Sequence, residues 1–313
     1  MWIATSTKDI LEDITKINVK KKATSVETFD FSTLYTKIRL QDLKEKLKWC
    51  IEKAFKGGTN QWIRVTGSAR FDAGKRTRKE DLYSKEDIFK MLDFIIDGSY
   101  LAVGNFVFRQ QVGIPMGTDP APFMANLYLY SYEFSWMEKL TLTDYGIARK
   151  YYGRTKRFID DLCTLNNGKQ IEKHWKEIYP KELVLNKENR NNEEASFLDL
   201  EIKITDKVFI TKIYDKRDAF TFDIVSLPDL RGNITEASAY GVIKGQIIRY
   251  ARNCTLVSDL CSRIFILIDK VRTKGYEMDK IWDAIRKCVR RCPWMPVKYD
   301  IEIDALLKRM RTQ

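Results

Sequence analysis

The sequence is poor in histidine and in paired cysteines, and this shortage excludes several classes of site. Among 313 residues there is one histidine, His174, and the six cysteines form no Cys-x-x-Cys pair. Zinc ribbons, thioredoxin-type redox sites and histidine-rich metal sites therefore have no support. Any Ser-His-Asp or Cys-His arrangement would depend on that single histidine. Catalytic chemistry, if there is any, has to come from carboxylates, the backbone and basic residues.

Long apolar runs are also absent. No stretch approaches the ~18–20 apolar residues that a membrane span requires. The N-terminal segment carries Lys8, Asp9, Glu12 and Asp13 in place of a signal-peptide pattern. We therefore expect no membrane insertion and no secretion, and an intracellular location, nuclear or cytoplasmic.

Positive charge exceeds negative charge, and the excess is concentrated towards the C-terminus. The chain carries 55 Lys and Arg against 43 Asp and Glu, a net charge of +12. From Arg231 onward there are 17 basic and 9 acidic residues, which accounts for +8 of that excess. Such a surface is typical of polyphosphate binding. A solvated helix face gives the same pattern, so charge alone does not decide between the two interpretations.

Hydrophobic spacing predicts a mixed α/β part followed by an all-helical part. The predicted elements are helices at 39–55, 84–97, 123–140 and 171–178, strands at 25–31, 61–65, 69–72 and 106–109, and hairpins at 155–165 and 196–214. From about Glu236 onward the pattern is helical. We expect residues 1–222 to form one domain and residues 223–313 a second, basic domain.

Three aspartates stand out by their context. Asp30 follows an apolar strand, and Asp160 and Asp161 lie together between two predicted strands. Adjacent carboxylates repel each other and are costly to desolvate unless a cation compensates. Two Mg²⁺ ions, or Mn²⁺, would do this, and they could activate an attacking 3′-oxygen and stabilise a leaving pyrophosphate. An Asp-Asp pair by itself, however, is also ordinary turn chemistry.

A glycine- and proline-rich loop at residues 111–122 runs directly into a predicted long helix. Glycines allow a backbone to approach a flat or phosphorylated ligand closely, and a helix N-terminus favours anions. The small residues Ala121 and Ala125 would let the helix lie close to a neighbour. A tight structural loop before a core helix would have the same composition.

Taken in order, these segments resemble the palm of a reverse transcriptase. Its first, second and metal-binding third motifs are similar to FDFSTLYTKI, QQVGIPMGTDPAPFMANLYL and RFIDDL. Downstream motifs and the helical thumb of Penelope-like retroelements resemble ASFLDLEI, ITKIYDKRDAF and YGVIKGQIIRYARNC. The resemblance covers nearly the whole chain. It implies an RNA-directed DNA polymerase with a right-hand α/β palm, made of an antiparallel sheet and packed helices, and an all-helical thumb.

The resemblance also implies roles for individual residues. Asp30, Asp160 and Asp161 would bind two Mg²⁺ ions, assisted by the carbonyl group of Phe31. Tyr35 would lie under the incoming sugar and select deoxynucleotides. The remaining implied roles are packing of the new base pair by Gln111, Gly113, Pro115 and Gly117, protonation of pyrophosphate by Lys187, and binding of the primer end by Tyr214 and Lys216. From the positive charge of the helical C-terminal part, we also expect Arg249 and Arg252 to bind the template–primer duplex. The partners would be an RNA template, a DNA primer and dNTPs.

Departures from the family pattern leave alternatives open. Phe158 replaces the more usual tyrosine, a change that we expect to be tolerated because this position does not bind metal. Only 29 residues precede Asp30, so we expect the fingers region to be largely missing and the chain to be palm and thumb of a longer element or a truncated reading frame. One alternative is a non-catalytic nucleic-acid-binding remnant. Another is an RNA-directed RNA polymerase, against which Tyr35 argues because such an enzyme must admit a 2′-hydroxyl.

Overall fold

The computed structural model describes residues 2–55, 61–72, 82–114, 116, 118–222, 224 and 226–311. The chain forms two compact units, each with its own apolar core. The first unit consists of Met1–Thr5 with Phe29–Glu188, and the second of Ser6–Thr28 with Asn189–Gln313. None of the helices within this described part combines the length and apolarity that a membrane crossing requires.

Strands and helices are numbered along the chain. The strands are β1 (Val26–Phe31), β2 (Trp62–Thr66), β3 (Ser68–Asp72), β4 (Leu82–Tyr83), β5 (Tyr100–Val103), β6 (Phe106–Arg109), β7 (Thr155–Phe158), β8 (Asp161–Leu165), β9 (Leu185–Lys187), β10 (Glu194–Phe197), β11 (Leu200–Thr205) and β12 (Val208–Ile213). The helices are α1 (Thr7–Asn18), α2 (Leu34–Lys37), α3 (Leu40–Phe55), α4 (Lys85–Asp97), α5 (Ala121–Thr143), α6 (Tyr145–Ile147), α7 (Gln170–Ile178), α8 (Glu236–Asn253), α9 (Val257–Arg272), α10 (Met278–Arg291), α11 (Trp294–Lys298) and α12 (Ile303–Arg309). A π-helical turn covers Ala148–Tyr152 and a 3₁₀ turn covers Lys216–Ala219.

A four-stranded sheet in the order β7-β8-β1-β9 is central to the first unit. β1 pairs antiparallel with β9, where Asp30 lies opposite Asn186, and β7 pairs antiparallel with β8. Phe29, Phe31 and Leu162 of this sheet share one buried core with apolar residues of α3, α5 and α7. Burial of these side chains removes apolar surface from water and thereby holds β1 and β8 in place.

Helix α5 is packed closely against α3. Its Ala121 and Ala125 are buried, in agreement with their small size. Farther along the helix, the hydroxyl groups of Tyr128 and Tyr132 both donate to Oδ2 of Asp42 on α3, at 2.6 and 2.7 Å. Burial, together with the Asp42 carboxylate, raises the pKa of both tyrosines. They therefore remain hydrogen-bond donors, and they fix α5 relative to α3.

The second unit combines a three-stranded sheet with α1 and α8–α12. The sheet order is β10-β11-β12, and both pairings are antiparallel. α1 begins with a capping box at Ser6. At its end, the side-chain amide of Asn18 donates to the carbonyl of Phe209 at 2.8 Å and accepts from the Phe209 N–H at 2.7 Å. Asn18 thus provides hydrogen-bond partners for the N–H and the carbonyl of Phe209 in β12, both of which face away from β11.

The predicted mixed α/β architecture with antiparallel sheets is confirmed, with some differences in detail. α1, β5 and β9 were not expected. The strand predicted from residue 196 is interrupted, since Leu198 has a φ of +55°, which a β-strand does not accommodate. The predicted boundary after residue 222 refers to functional domains and stays a prediction, whereas the compact units divide the chain elsewhere.

Candidate active site

The hairpin of β7 and β8 carries Asp160 and Asp161 at its tip. Phe158 and Asp161 form the last cross-strand pair, so Ile159 and Asp160 form a two-residue turn. Ile159 has a φ of +57°, in the left-handed region that β-branched residues rarely adopt. Such a conformation persists only where the surrounding structure enforces it. The turn is therefore a locally strained element.

Strand β1 brings Asp30 beside this turn. β1 and β8 are neighbours in the sheet, and the N–H of Phe31 donates to the carbonyl oxygen of Asp160 at 3.4 Å. Asp30, Asp160 and Asp161 are all half-buried. The fold thus brings together the backbone of the three predicted metal ligands, although Asp30 is far from the other two in sequence.

The backbone of the three aspartates is brought together, but their carboxyl groups do not converge on one point. In residues 2–311, leaving aside the gaps given above, no group of three or more His, Cys, Asp or Glu is arranged so that it could hold a metal ion. The three carboxyl groups therefore do not form a ready-made ligand set. Carboxylates at short range repel each other, so closing such a set needs a compensating cation. Oxygen donors are what Mg²⁺ prefers, and the residues fit it in donor type and backbone position.

Tyr35 lies on α2, shortly after β1. Partial burial raises the pKa of its hydroxyl, and the negative charge of Asp160 adds to this effect. The phenol is therefore within electrostatic range of a predicted metal ligand. The ring is half-buried and packs against the core of the first unit. This position is compatible with a role beside a bound sugar and with a role in the core.

The glycine–proline loop packs its backbone against α2, which carries Tyr35, and against the residue that follows this helix. The N–H of Gly113 donates to the carbonyl of Ile38 at 2.7 Å, and the N–H of Ile114 donates to the carbonyl of Tyr35 at 2.9 Å. Gly113 has a φ of +89°, and a Cβ at this position would overlap the carbonyl oxygen of Tyr35. Only glycine meets both conditions.

Replacing Gly113 with alanine should therefore destabilise the first unit without removing a polar group. We expect a loss of about 2–4 kcal/mol in the free energy of unfolding, because strain at a positive φ and a backbone clash combine. Urea unfolding would measure it. Gly104→Ala is the matched control, since Gly104 also has a positive φ of +59° but open space around its Cα. Equal losses in the two variants would contradict the close approach.

The other predicted site residues fall into three groups. Gln111 is exposed, whereas Pro115 and Gly117 lie outside the described residues. Lys187 belongs to β9, and its Nζ lies 2.9 Å from Oε2 of Glu172. The predicted primer and template residues all belong to the second unit and are Tyr214 after β12, Lys216 at the 3₁₀ turn, and Arg249 and Arg252 on α8.

A buried ion pair supports the hairpin tip. Arg157 and Glu133 are 0% and 3% exposed. Nε of Arg157 donates to Oε1 of Glu133, and Nη2 donates to Oε2 at 3.1 Å. Nη1 donates to Oδ1 of Asn126 and to the carbonyl oxygen of Ile159, both at 2.8 Å. The hydroxyl of Tyr179 donates to Oε1 of Glu133 at 3.0 Å.

Arg157 and Glu133 are not among the site residues that the sequence predicts. The available signal was the alternation of β7, in which Thr155 and Arg157 face inward. An inward arginine requires a buried acid, because a buried charge is tolerated only when it is paired. The identity of that acid, on a helix distant in sequence, emerges only from the fold.

No protein-family model and no curated protein matches the chain, but solved structures do. Telomerase from Candida albicans, solved in complex with a TWJ fragment of telomeric RNA, matches with a TM-score of 0.66 and 14% identity, over 99% of this chain and 52% of that one. Apo telomerase from Candida tropicalis matches with a TM-score of 0.51 and 14% identity, over 98% and 50%. The chain thus spans about half the length of these solved chains. The likeness shows the fold, which is that of a right-hand polymerase.

Proposed function

We propose that the chain is an RNA-directed DNA polymerase that transfers a nucleotide from a dNTP to the 3′-hydroxyl of a primer. The observation that carries this proposal is the backbone contact between Phe31 and Asp160. It brings Asp30 beside the Asp160–Asp161 turn within a right-hand polymerase fold. The motif resemblance supports the reaction class, and the structural likeness supports the fold.

The proposed site divides the chemistry between the metal ions and the chain. Asp30, Asp160 and Asp161 would hold Mg²⁺ or Mn²⁺ through carboxylate oxygens, with the carbonyl of Phe31. The bound ions would supply activation of the 3′-oxygen and charge stabilisation at the leaving pyrophosphate. The ring of Tyr35 would limit the space at the 2′-carbon of the sugar. Position, rather than covalent chemistry, is the protein's main contribution to such a transfer.

Three further predicted residues complete the proposed nucleotide site. The Gly113 loop, through its backbone, would form part of the surface that packs the new base pair, together with Gln111. Lys187 would protonate pyrophosphate. Its ammonium group is paired with Glu172, so this role requires that the pair opens or that the proton is relayed.

The basic helices of the second unit are proposed to bind the primer–template duplex by its phosphates. Arg286, Arg290 and Arg291 on α10 are exposed. Arg252 on α8 is exposed too, and its guanidinium lies 5.9 Å from the ring centre of Trp294. Arg249 differs, because its Nε donates to Oδ2 of Asp199 at 2.6 Å and its charge is thus partly neutralised. The exposed arginines of α8 and α10 are the stronger candidates for phosphate contacts.

Reversing the charge of Arg252 should weaken binding of RNA–DNA duplexes of any sequence alike. For Arg252→Glu we expect roughly a tenfold loss of affinity at low salt, and a salt dependence reduced by about one phosphate contact. Fluorescence anisotropy with two unrelated duplexes over a range of salt concentrations measures both. Lys207→Glu is the matched control, because it makes the same charge change in the exposed β11–β12 turn, outside the helices. Salt-independent binding by the wild-type chain would contradict the proposed surface.

Primer extension tests the proposed activity itself. The full chain would be incubated with an RNA template, an annealed DNA primer, dNTPs and Mg²⁺ or Mn²⁺, and we expect templated extension of the primer. Duplex binding without extension would favour the non-catalytic alternative. Equal extension with ribonucleotides would favour an RNA-directed RNA polymerase.

We further infer that the polymerase belongs to a Penelope-like retroelement. The support is the similarity of residues 195–202 and 210–220, and of the helical tail, to motifs of that group. An element of this kind copies RNA inside the cell, so we propose a nuclear or cytoplasmic location. Detection of the coding sequence within a dispersed genomic repeat would support the inference, and a single-copy locus would contradict it.

A further inference from the structure

We propose that Arg157 is a positioning residue that, with Glu133, holds the catalytic turn in the conformation that directs Asp160 and Asp161 towards the metal ions. The inference rests on the proposed role of these aspartates as metal ligands. It adds a residue pair that contacts neither substrate nor metal and acts through the backbone of the turn.

The hydrogen bonds of the guanidinium group carry the argument. An arginine has five N–H donors in a fixed planar fork, and Arg157 uses all five. Four of them reach α5, at both carboxylate oxygens of Glu133 and at the side-chain and backbone oxygens of Asn126. The fifth reaches the carbonyl oxygen of Ile159 at 2.8 Å. The side chain thus connects a rigid core helix to the turn residue that precedes Asp160.

The bond to Ile159 acts on a strained residue. A positive φ at a β-branched residue is unfavourable, so the turn has a tendency to relax by rotation about the N–Cα bond of Ile159, which would bring its φ to a negative value. That rotation would move the carbonyl oxygen of Ile159 away from Arg157 and leave a buried N–H donor of the guanidinium group unpaired, which is itself unfavourable. The buried charge therefore opposes the relaxation that would redirect Asp160.

The same network also contacts the strand that carries Asp30. The ring of Tyr179 packs edge-on against Phe31, with ring centres 4.8 Å apart and an interplanar angle of 87°. Its hydroxyl donates to Glu133. Burial, reinforced by the Glu133 carboxylate, raises the pKa of Tyr179, so this donor stays protonated. The buried carboxylate of Glu133 thus binds both Arg157, which contacts the Asp160–Asp161 turn, and Tyr179, which contacts the strand that carries Asp30.

Stability alone is a weak explanation for this ion pair. Replacing a buried ion pair with apolar residues of similar volume is often neutral or stabilising, whereas removing one partner is strongly destabilising. A pair kept only for stability could therefore be exchanged without loss of function. A positioning pair could not, and this difference provides the test.

The decisive variant is Arg157→Met with Glu133→Met and Tyr179→Phe, which removes the network without leaving a buried charge. We expect a folded protein whose affinity for Mn²⁺, measured by the electron paramagnetic resonance signal of free Mn²⁺, is at least tenfold lower than in the wild type. Arg64→Met with Asp72→Met is the control, because it removes a second, partly buried ion pair of the first unit and should leave Mn²⁺ affinity unchanged.

Arg157→Lys provides a second variant in case the triple replacement does not fold. Lysine keeps the charge beside Glu133 but has no planar fork that can reach Asn126 and Ile159 together. We expect retained folding and weaker Mn²⁺ binding here as well. Unchanged Mn²⁺ affinity in a folded variant of either kind would overturn the inference. Wild-type Mn²⁺ binding that persists in Asp160→Asn would instead overturn the proposed metal site, and the positioning role with it.

Discussion

Asp160→Asn should reduce templated nucleotide incorporation by ~10³-fold or more, because it removes the charge of a predicted metal ligand while keeping the size of the side chain. A bound metal ion contributes several kcal/mol of transition-state stabilisation, and each ~1.4 kcal/mol is a factor of ten in rate. Single-turnover primer extension on an RNA template, at saturating Mg²⁺, is the appropriate measurement. Asp30→Asn should have an effect of similar size, since Asp30 lies on the adjacent strand β1.

The control for this experiment is another aspartate of the first unit. Asp144 is exposed and accepts a hydrogen bond from the N–H of Ile147, a role that asparagine also fulfils. Asp144→Asn should therefore retain full activity. Asp160→Asn should still bind the primer–template duplex, which separates a catalytic defect from a binding defect. Undiminished incorporation by Asp160→Asn would remove the hairpin tip as the site of the chemistry.

Tyr35→Ala should raise the ratio of ribonucleotide to deoxynucleotide incorporation by about 10- to 100-fold. A phenol ring beneath the sugar leaves no room for a 2′-oxygen, and rejecting that group by steric clash is worth a few kcal/mol. Removing the ring opens the space, while incorporation of deoxynucleotides falls modestly because packing is lost. The measurement is kcat/KM for a ribonucleotide and for its deoxy counterpart, opposite the same template base.

Tyr35→Phe is the matched control, because it keeps the ring and removes only the hydroxyl. Its ratio should equal that of the wild type, although its hydroxyl no longer interacts with Asp160. The competing interpretation is that Tyr35 is a core aromatic, in which case Tyr35→Ala lowers stability and both activities in parallel. An unchanged ratio together with a lower Tm would assign Tyr35 to the core and would reopen the RNA-polymerase alternative.

The elements of the site were predictable where the controlling interactions are local. The hairpin of β7 and β8 follows from two short predicted strands that meet at the Asp160–Asp161 pair, a typical turn sequence. The association of Asp30 with Asp160 and Asp161 was predictable only through the order of the motifs, because nothing local to Asp30 specifies that β1 lies beside β8.

Other features could not be predicted because they depend on pairs that are distant in sequence. The charge of Arg249 suggested a phosphate contact, but the fold pairs this arginine with Asp199. The charge of Arg157 did not by itself indicate a structural role, although its pairing with Glu133 links β7 to α5. In each case the type of residue was informative, and the partner was determined by packing between elements that meet only in the folded chain.

The interleaved course of the chain has a consequence for its synthesis on the ribosome. Ser6–Thr28 packs in the second unit, yet the rest of that unit, Asn189–Gln313, is translated only after the 160 residues of Phe29–Glu188. At a translation rate of ~5–20 residues per second, α1 waits roughly 8–30 s for its partner strands. The finished protein buries three isoleucines of α1, Ile10, Ile14 and Ile17. During that interval the core against which they pack has not yet been synthesised. The nascent chain therefore exposes this apolar segment, which is too short to form a stable helix by itself, and we expect molecular chaperones to recognise it.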